Sequence, residues 1–232
     1  NIQDVFPDVA VELGAITDPR VIAAASWLER FLYRRADAVT VLSDDLRDNV
    51  AGKLGRHRPE RVVVIPNFVD TERIRPTDPD NSYRAENDLT GRTVVMYAGN
   101  VGLSQSLDLV VEAARRFRDR GRDDVVFVIN GGGSALAGLQ ESARGLDNLR
   151  FVGMQPRERL PEVLAAGDLH LVPLRTGLAR SSVPSKLYSI LAAGRPVLAS
   201  VDGGTEVATT IERAGAGLSV PPEDADRFVA AL

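Results

Sequence analysis

Cysteine is absent from the sequence, which excludes disulfides, thiolate nucleophiles and thiolate metal ligands. Histidine is scarce: His57 and His170 are the only ones, too few for a histidine-rich zinc site. No apolar run approaches the roughly 18 residues that a membrane-crossing helix needs. Lysine is nearly missing, because of 28 basic residues only Lys53 and Lys186 are not arginine. The formal net charge of -4 argues against nucleic acid as the partner.

What is present describes a globular α/β chain. At 232 residues it holds one large or two small units, and 44% of those residues are hydrophobic. Val21 to Arg35 is an amphipathic helix with Ile22, Ala25, Leu28, Phe31 and Leu32 on one side. Trp27 is read as helix packing. Ala38 to Leu42 is a strand, and Ser43 caps a helix over Asp44 to Leu54 with acids in its first turn. Arg61 to Ile65 is a second strand, closed by Pro66-Asn67. Residues 69–90, rich in Pro, Asp and Asn, read as a connection between domains. The abrupt start at Asn1 and the end inside a helix suggest a piece of a longer chain.

From residue 91 onward, strands alternate with helices. Strands are expected at Thr93–Ala98, Val125–Asn130, Leu149–Val152, Asp168–Pro173, Val197–Ala199 and Gly217–Val220. Separation by helical stretches means an open parallel sheet with helices on both faces, whose ligands bind beyond the carboxyl ends of the strands. At that edge lie Gly99, Asn100, Gly102 and Gln105 in one loop and Gly131 to Gly133 in another. Two glycine-rich turns at one sheet edge are the pattern of a phosphate or nucleotide site, although neither is a Walker A motif or a dinucleotide fingerprint. Arg175 and Arg180 offer guanidinium donors, Arg157 and Arg159 read as a solvated turn, and His170 reads as a core or sheet-surface residue.

The stretch VPSKLYSILAAGRPVLAS, Val183 to Ser200, organises this edge. Leu187, Ile190 and Leu191 mark a short helix, Gly194 stops it, and a strand follows. Ser185 is expected to cap the helix, with Lys186 in its first turn. Backbone donors and one ammonium then form a phosphate cradle. An ordinary helix–strand unit with a solvated lysine fits the same pattern.

Five stretches, DVFPDVAVELG, ADAVTVLS, VVVIPNFVD, VVMYAGNVGLSQSLDLVVEAA and VPSKLYSILAAGRPVLA, occur in an order that resembles family 4 glycosyltransferases of the GT-B fold, in the branch serving bacterial cell-surface polysaccharides. The resemblance implies a Rossmann-like open parallel sheet in residues 91–232 that binds the nucleotide-sugar donor. Residues 1–68 are then the tail of a second Rossmann-like domain, which binds the acceptor. It places Gly99, Asn100 and Gly102 near the sugar and diphosphate, has Gly131 and Gly132 support the nucleotide, and docks the base near Met154. It assigns Lys186 to the diphosphate, with Arg175 the other available source of charge. Asp4 and Glu12 are the acids nearest the stretch that faces the donor; Asp4 is preferred for catalysis, and a helix or turn cap fits Asp4 as well. The chain departs from the family's pattern in carrying Asn100 and Gln105 where a basic pair is usual. It departs again at Ser189, where a carboxylate usually holds the ribose. A serine makes single hydrogen bonds and no bidentate contact.

The resemblance implies transfer of a sugar from a UDP-sugar, with retention and without a metal or other cofactor. The acceptor is a glycan or polyprenyl-linked species, handled in the cytoplasm, with peripheral membrane contact assigned to the missing N-terminal part. Two other readings share the architecture: a nonhydrolysing UDP-sugar epimerase, and a nucleotide-sugar-binding module without catalysis.

Overall fold

The computed structural model describes residues 1–55 and 59–232, so His57 lies outside the described residues. The N-terminal part runs α1 (Asp8–Glu12), α2 (Pro19–Arg35), β1 (Val39–Val41), α3 (Asp44–Leu54) and β2 (Val62–Val64). Strands β1 and β2 pair in parallel, with α3 as the crossover between them. Ser43 caps α3 as its sequence predicts, its Oγ accepting from the Leu46 N–H at 3.2 Å. Asp18 does the same for α2, where Pro19 is well placed because the first helical N–H is not needed.

Helix α2 corrects one expectation. Trp27 is not packed: it is 61% exposed and stacks on Phe31, with Leu28 and Leu32 beside them also exposed. The inward side of α2 instead carries Glu29 and Tyr33, both buried. Lys53 of α3 binds Glu29 and Asp8 at 2.8 and 2.7 Å, and the Tyr33 hydroxyl donates to Glu29 at 2.8 Å. That buried charge cluster fixes the helix rotation and leaves the aromatic stripe outward.

The segment expected to be only a connection contains α4 (Ser82–Glu86). Tyr83 and Leu89 are fully buried, and the Arg84 guanidinium reaches the Ala166 carbonyl at 2.9 Å and Asp168 at 2.7 Å. The second half of this segment is therefore packed onto the larger sheet.

That sheet contains β3 (Thr93–Ala98), β4 (Val125–Asn130), β5 (Leu149–Val152), β6 (Leu169–Pro173), β7 (Val197–Ser200) and β8 (Gly217–Val220). Their order is β5-β4-β3-β6-β7-β8, and every pairing is parallel, as the alternating pattern predicts. Between them run α5 (Asp108–Asp119), α6 (Leu136–Ser142), α7 (Leu160–Ala166), α8 (Lys186–Ala192) and α9 (Glu206–Ala214), with α10 (Ala225–Ala231) last. Val95, Tyr97, Phe127 and Ile129 face α5, α6 and α10, while Val94, Met96, Val126 and Val128 face α4 and α7. With both faces covered, β4 is buried along its whole length, which is why VVFVIN reads as a continuous apolar run. The strand order reverses direction between β3 and β6. Loops leaving those two strand ends diverge and open a crevice there.

His170 sits inside β6 with no exposed surface, its Nε2 2.8 Å from the Leu164 carbonyl. Burial holds its pKa down, at about 4, so the folded protein keeps the ring neutral. The unfolded chain, with an ordinary histidine near 6.5, binds the proton first. Stability contributed by this group is thus complete above about pH 6.5 and is lost as pH falls toward 4, a change of about 3 kcal/mol. Denaturant titrations between pH 7 and 4 should show that loss, and His170→Gln should flatten this part of the profile.

Candidate functional site

A cleft of about 890 Å³ opens at the reversal point between β3 and β6. It is lined by Asn67-Phe68, the segment from Met154 to Leu160 after β5, the loop after β3, the segment from Leu174 to Lys186, and the N-terminal residues before α1. The last two are stitched together, since Val5 N–H donates to the Ser181 carbonyl at 2.7 Å and Asp4 bridges to Ser182. In turn, Ile2 N–H donates to the Thr40 carbonyl at 2.7 Å, which ties the strip to β1.

Of the residues singled out in the sequence, Gly99, Asn100, Gln105 and Met154 line this cleft, as do Ser185, Lys186, Ser189 and Asp4. Gly102, Gly131, Gly132 and Arg175 do not. Arg175 is turned away, its Nε donating to the Leu103 carbonyl at 2.6 Å and its Nη1 lying 3.3 Å from Glu223. Arg180 also points elsewhere, lining a small surface hollow with Asp45, Asp48 and Asn49. Gly102 is a loop residue, with its N–H held by the Gln105 side chain at 3.0 Å.

Ser185 does not cap α8. Its backbone is already helical, with φ -59° and ψ -24°, and it makes no capping bond. A capping hydroxyl must turn back from an extended residue, and this geometry forbids that. Helix α8 has only seven residues, so its charge contribution is Lys186 rather than a long dipole.

Lys186 is the central charge of the cleft. Its Nζ lies 3.7 Å from the centroid of the Tyr97 ring, and among the described residues no carboxylate or hydrogen-bond acceptor engages it. Burial pushes its pKa down to about 7, because the ammonium gives up water without gaining a counter-ion. The neighbouring Gly99 has φ +146°, and a Cβ there would stand 2.8 Å from Nζ. Glycine at 99 therefore leaves the ammonium room, and an anion entering the cleft would supply the missing charge.

The glycine triplet after β4 acts from below. A Cβ at Gly131 would lie 1.9 Å from the Gly99 carbonyl oxygen, and one at Gly133 would lie 2.3 Å from that of Val101. Both glycines have positive φ, at +152° and +154°. The triplet is thus the seat on which the loop after β3 rests, and it does not itself line the cleft.

Other lining residues were not singled out as site residues. Phe68 lies at the cleft and is 90% exposed, and Arg157, read as a solvated turn, lines it as well. Asn130 also lines it, its Oδ1 accepting from Tyr83 at 2.8 Å. The available signals were an aromatic residue directly after Pro66-Asn67 and a polar residue ending an apolar strand. Tyr97 carried no signal, because it reads as one more core position.

Gly131→Ala should cost about 3 kcal/mol or more, through a backbone clash and an unfavourable φ. Gly132→Ala, which meets nothing within 4 Å, should stay within about 0.5 kcal/mol of the parent. Chemical denaturation of the two variants side by side checks the contrast.

Comparison with known proteins agrees with this architecture. Residues 92–232 match the family described as glycosyl transferases group 1, and residues 16–73 match Glycosyltransferase Family 4. The chain is 32% identical over 241 aligned positions to WcaI of Escherichia coli K12, named as a colanic acid biosynthesis glycosyl transferase. That alignment covers 100% of this chain and 58% of WcaI, so the chain spans little more than half the length of this relative. Among solved structures, WaaG, a glycosyltransferase involved in lipopolysaccharide biosynthesis, superposes with a TM-score of 0.77 at 18% identity. The match covers all of this chain and 62% of WaaG. Anabaena Alr3699/HepE, solved in complex with UDP and glucose, matches with a TM-score of 0.73 at 16% identity, over 92% of this chain and 57% of that protein. The parallel six-stranded sheet, the second two-stranded unit and the cleft between them are those of a GT-B fold, and the chain belongs to the group 1 and family 4 glycosyltransferases.

Proposed function

We propose that this chain carries the donor-binding half of a glycosyltransferase that takes a sugar from a UDP-sugar, with retention, in cell-surface polysaccharide synthesis. The observation that carries the reading is Lys186: a half-buried ammonium without an anionic partner, at the switch-point crevice of a doubly wound sheet. A diphosphate in the crevice would meet that ammonium together with the backbone of Gly99 and Asn100. The charge that leaves with the nucleotide is stabilised by Lys186 with no metal required, since a fixed ammonium is worth most where water is excluded.

Met154, Gln155 and Pro156 supply the half-open end where a base would dock. Ser189 lines the same cleft and offers one hydrogen bond to a ribose hydroxyl in place of a carboxylate's two. Asp4, on the N-terminal strip, is the acid proposed to face the sugar, where positive charge develops in the transition state. The acceptor is proposed to be a glycan or lipid-linked species, used on the cytoplasmic side of the plasma membrane. Among the described residues no helix is long and apolar enough to cross a membrane.

Lys186→Ala should weaken UDP binding by about 1.5 to 3 kcal/mol, the range for a hydrogen bond to a charged group. The melting temperature should stay near that of the parent, because no ion pair is lost. Calorimetric titration with UDP and a thermal melt test the two halves. An unchanged dissociation constant would end the diphosphate assignment, and a large drop in melting temperature would reassign Lys186 to structure.

A further inference from the structure

Tyr97 lies beneath the cleft at the end of β3, with no exposed surface and no place in the lining. Yet it touches two lining residues in different ways. The face of its ring seats the Lys186 ammonium, 3.7 Å from the centroid, and its hydroxyl donates to the Asn100 carbonyl. A phenylalanine would provide the first contact and not the second; a leucine would provide neither. Between the two partners sits Gly99, where an added Cβ would lie 2.8 Å from the Lys186 Nζ and 3.7 Å from the Tyr97 hydroxyl.

We infer that Tyr97 is a positioning residue for the donor diphosphate. It holds the ammonium of Lys186 and the Gly99–Asn100 loop at a fixed separation without placing a carboxylate against the charge. The inference rests on the donor-site reading above. Its physical basis is the nature of the partner. A carboxylate beside Lys186 would anchor it, but would also cancel its charge and repel an entering diphosphate. An aromatic face attracts the cation through its quadrupole and carries no net charge, so the seat and the ligand do not compete. The ring also replaces water on one side of the ammonium. The Nζ donors that face the cleft stay open, consistent with the absence of any acceptor for Lys186 among the described residues. The hydroxyl adds the second constraint: by binding the Asn100 carbonyl it fixes the crest of the loop that would form the other wall around the diphosphate.

The test exploits a peculiarity of the composition. With only Lys53 and Lys186 present, lysine-selective isotope labelling of the protein gives two sets of side-chain resonances, and Lys186→Ala assigns them. The ring current should move the Lys186 ε-methylene signal well upfield of that of Lys53. The shift should persist in Tyr97→Phe and vanish in Tyr97→Leu. UDP should perturb the Lys186 signal and leave that of Lys53 in place. In binding titrations, Tyr97→Phe should weaken UDP about twofold to threefold and Tyr97→Leu about tenfold. In a Lys186→Ala background the leucine change should cost no more than about twofold, because the group it positions is gone.

An unshifted Lys186 signal in the parent protein overturns the seat, and this holds even if the leucine variant does not fold. Equal losses from Tyr97→Leu in both backgrounds would mean general loosening of the core, and would overturn the positioning role alone. A shifted signal with UDP affinity indifferent to Lys186→Ala overturns the donor-site reading itself, and the role of Tyr97 toward diphosphate falls with it.

Discussion

The carbonyl oxygen of Gly99 occupies the space that a side chain at position 131 would need. This contact between two strand-end loops sets the floor of the cleft. It allows the loop after β3 to lie flat across the end of β4, which brings Gly99, Asn100 and Gln105 to the crevice instead of letting them rise above it. The same flattening leaves Gly99 close to Lys186: a Cβ at position 99 would stand 2.8 Å from Nζ and displace the lysine tip. The Lys186 ammonium is therefore placed against this backbone, and the glycines are required by contact distance as much as by dihedral angle.

On that floor the electrostatics are one-sided. Lys186 loses water to the surrounding chain and gains the face of Tyr97 but no anion, which is costly to the folded protein on its own. An arrangement that stability alone would disfavour is expected where a ligand completes it. Arg175, which the sequence offers as a second cation for the same anion, is instead committed to Leu103 and Glu223 and braces the loop from outside. Among the described residues Lys186 and Arg157 are then the cations lining the crevice, and Arg175, expected there, is not.

The stretch from Leu174 to Ala192 joins the two parts of the chain as well as building the site. Val183 is buried in the core of the N-terminal part, and Tyr188 packs against both cores. Asp45 of α3 accepts from the backbone N–H of Glu206 at 2.9 Å and so caps α9 across the seam, where Thr205 makes no side-chain cap. The Asn49 side chain reaches the Arg180 carbonyl at 3.1 Å, and the Ser181 hydroxyl donates to Glu12 at 3.2 Å. Partial desolvation raises the pKa of the Glu12 carboxyl, and the Ser181 hydrogen bond opposes that shift. The walls of the cleft and the attachment of the two parts thus depend on the same short segment.

By itself, the sequence determined the elements and their type. Predominantly apolar runs such as VVFVIN and PVLAS, separated by amphipathic helical stretches, can satisfy their two faces only as parallel strands under helices. The glycine positions that punctuate them follow from the same local chemistry, as does the cap at Ser43. Tertiary structure decided what local periodicity does not encode. It turned Trp27 outward, because the Lys53–Glu29–Asp8 cluster chose the other face of α2. It packed α4 into the larger unit through a tyrosine and an arginine that look like linker residues in sequence. It gave Ser185 helical backbone and denied it the cap, and it set a core tyrosine beneath the one lysine of the cleft. Each depends on contacts between residues far apart in the chain. A residue's type and its neighbours report which element it joins, whereas only the packed fold brings Tyr97 and Lys186 within 4 Å.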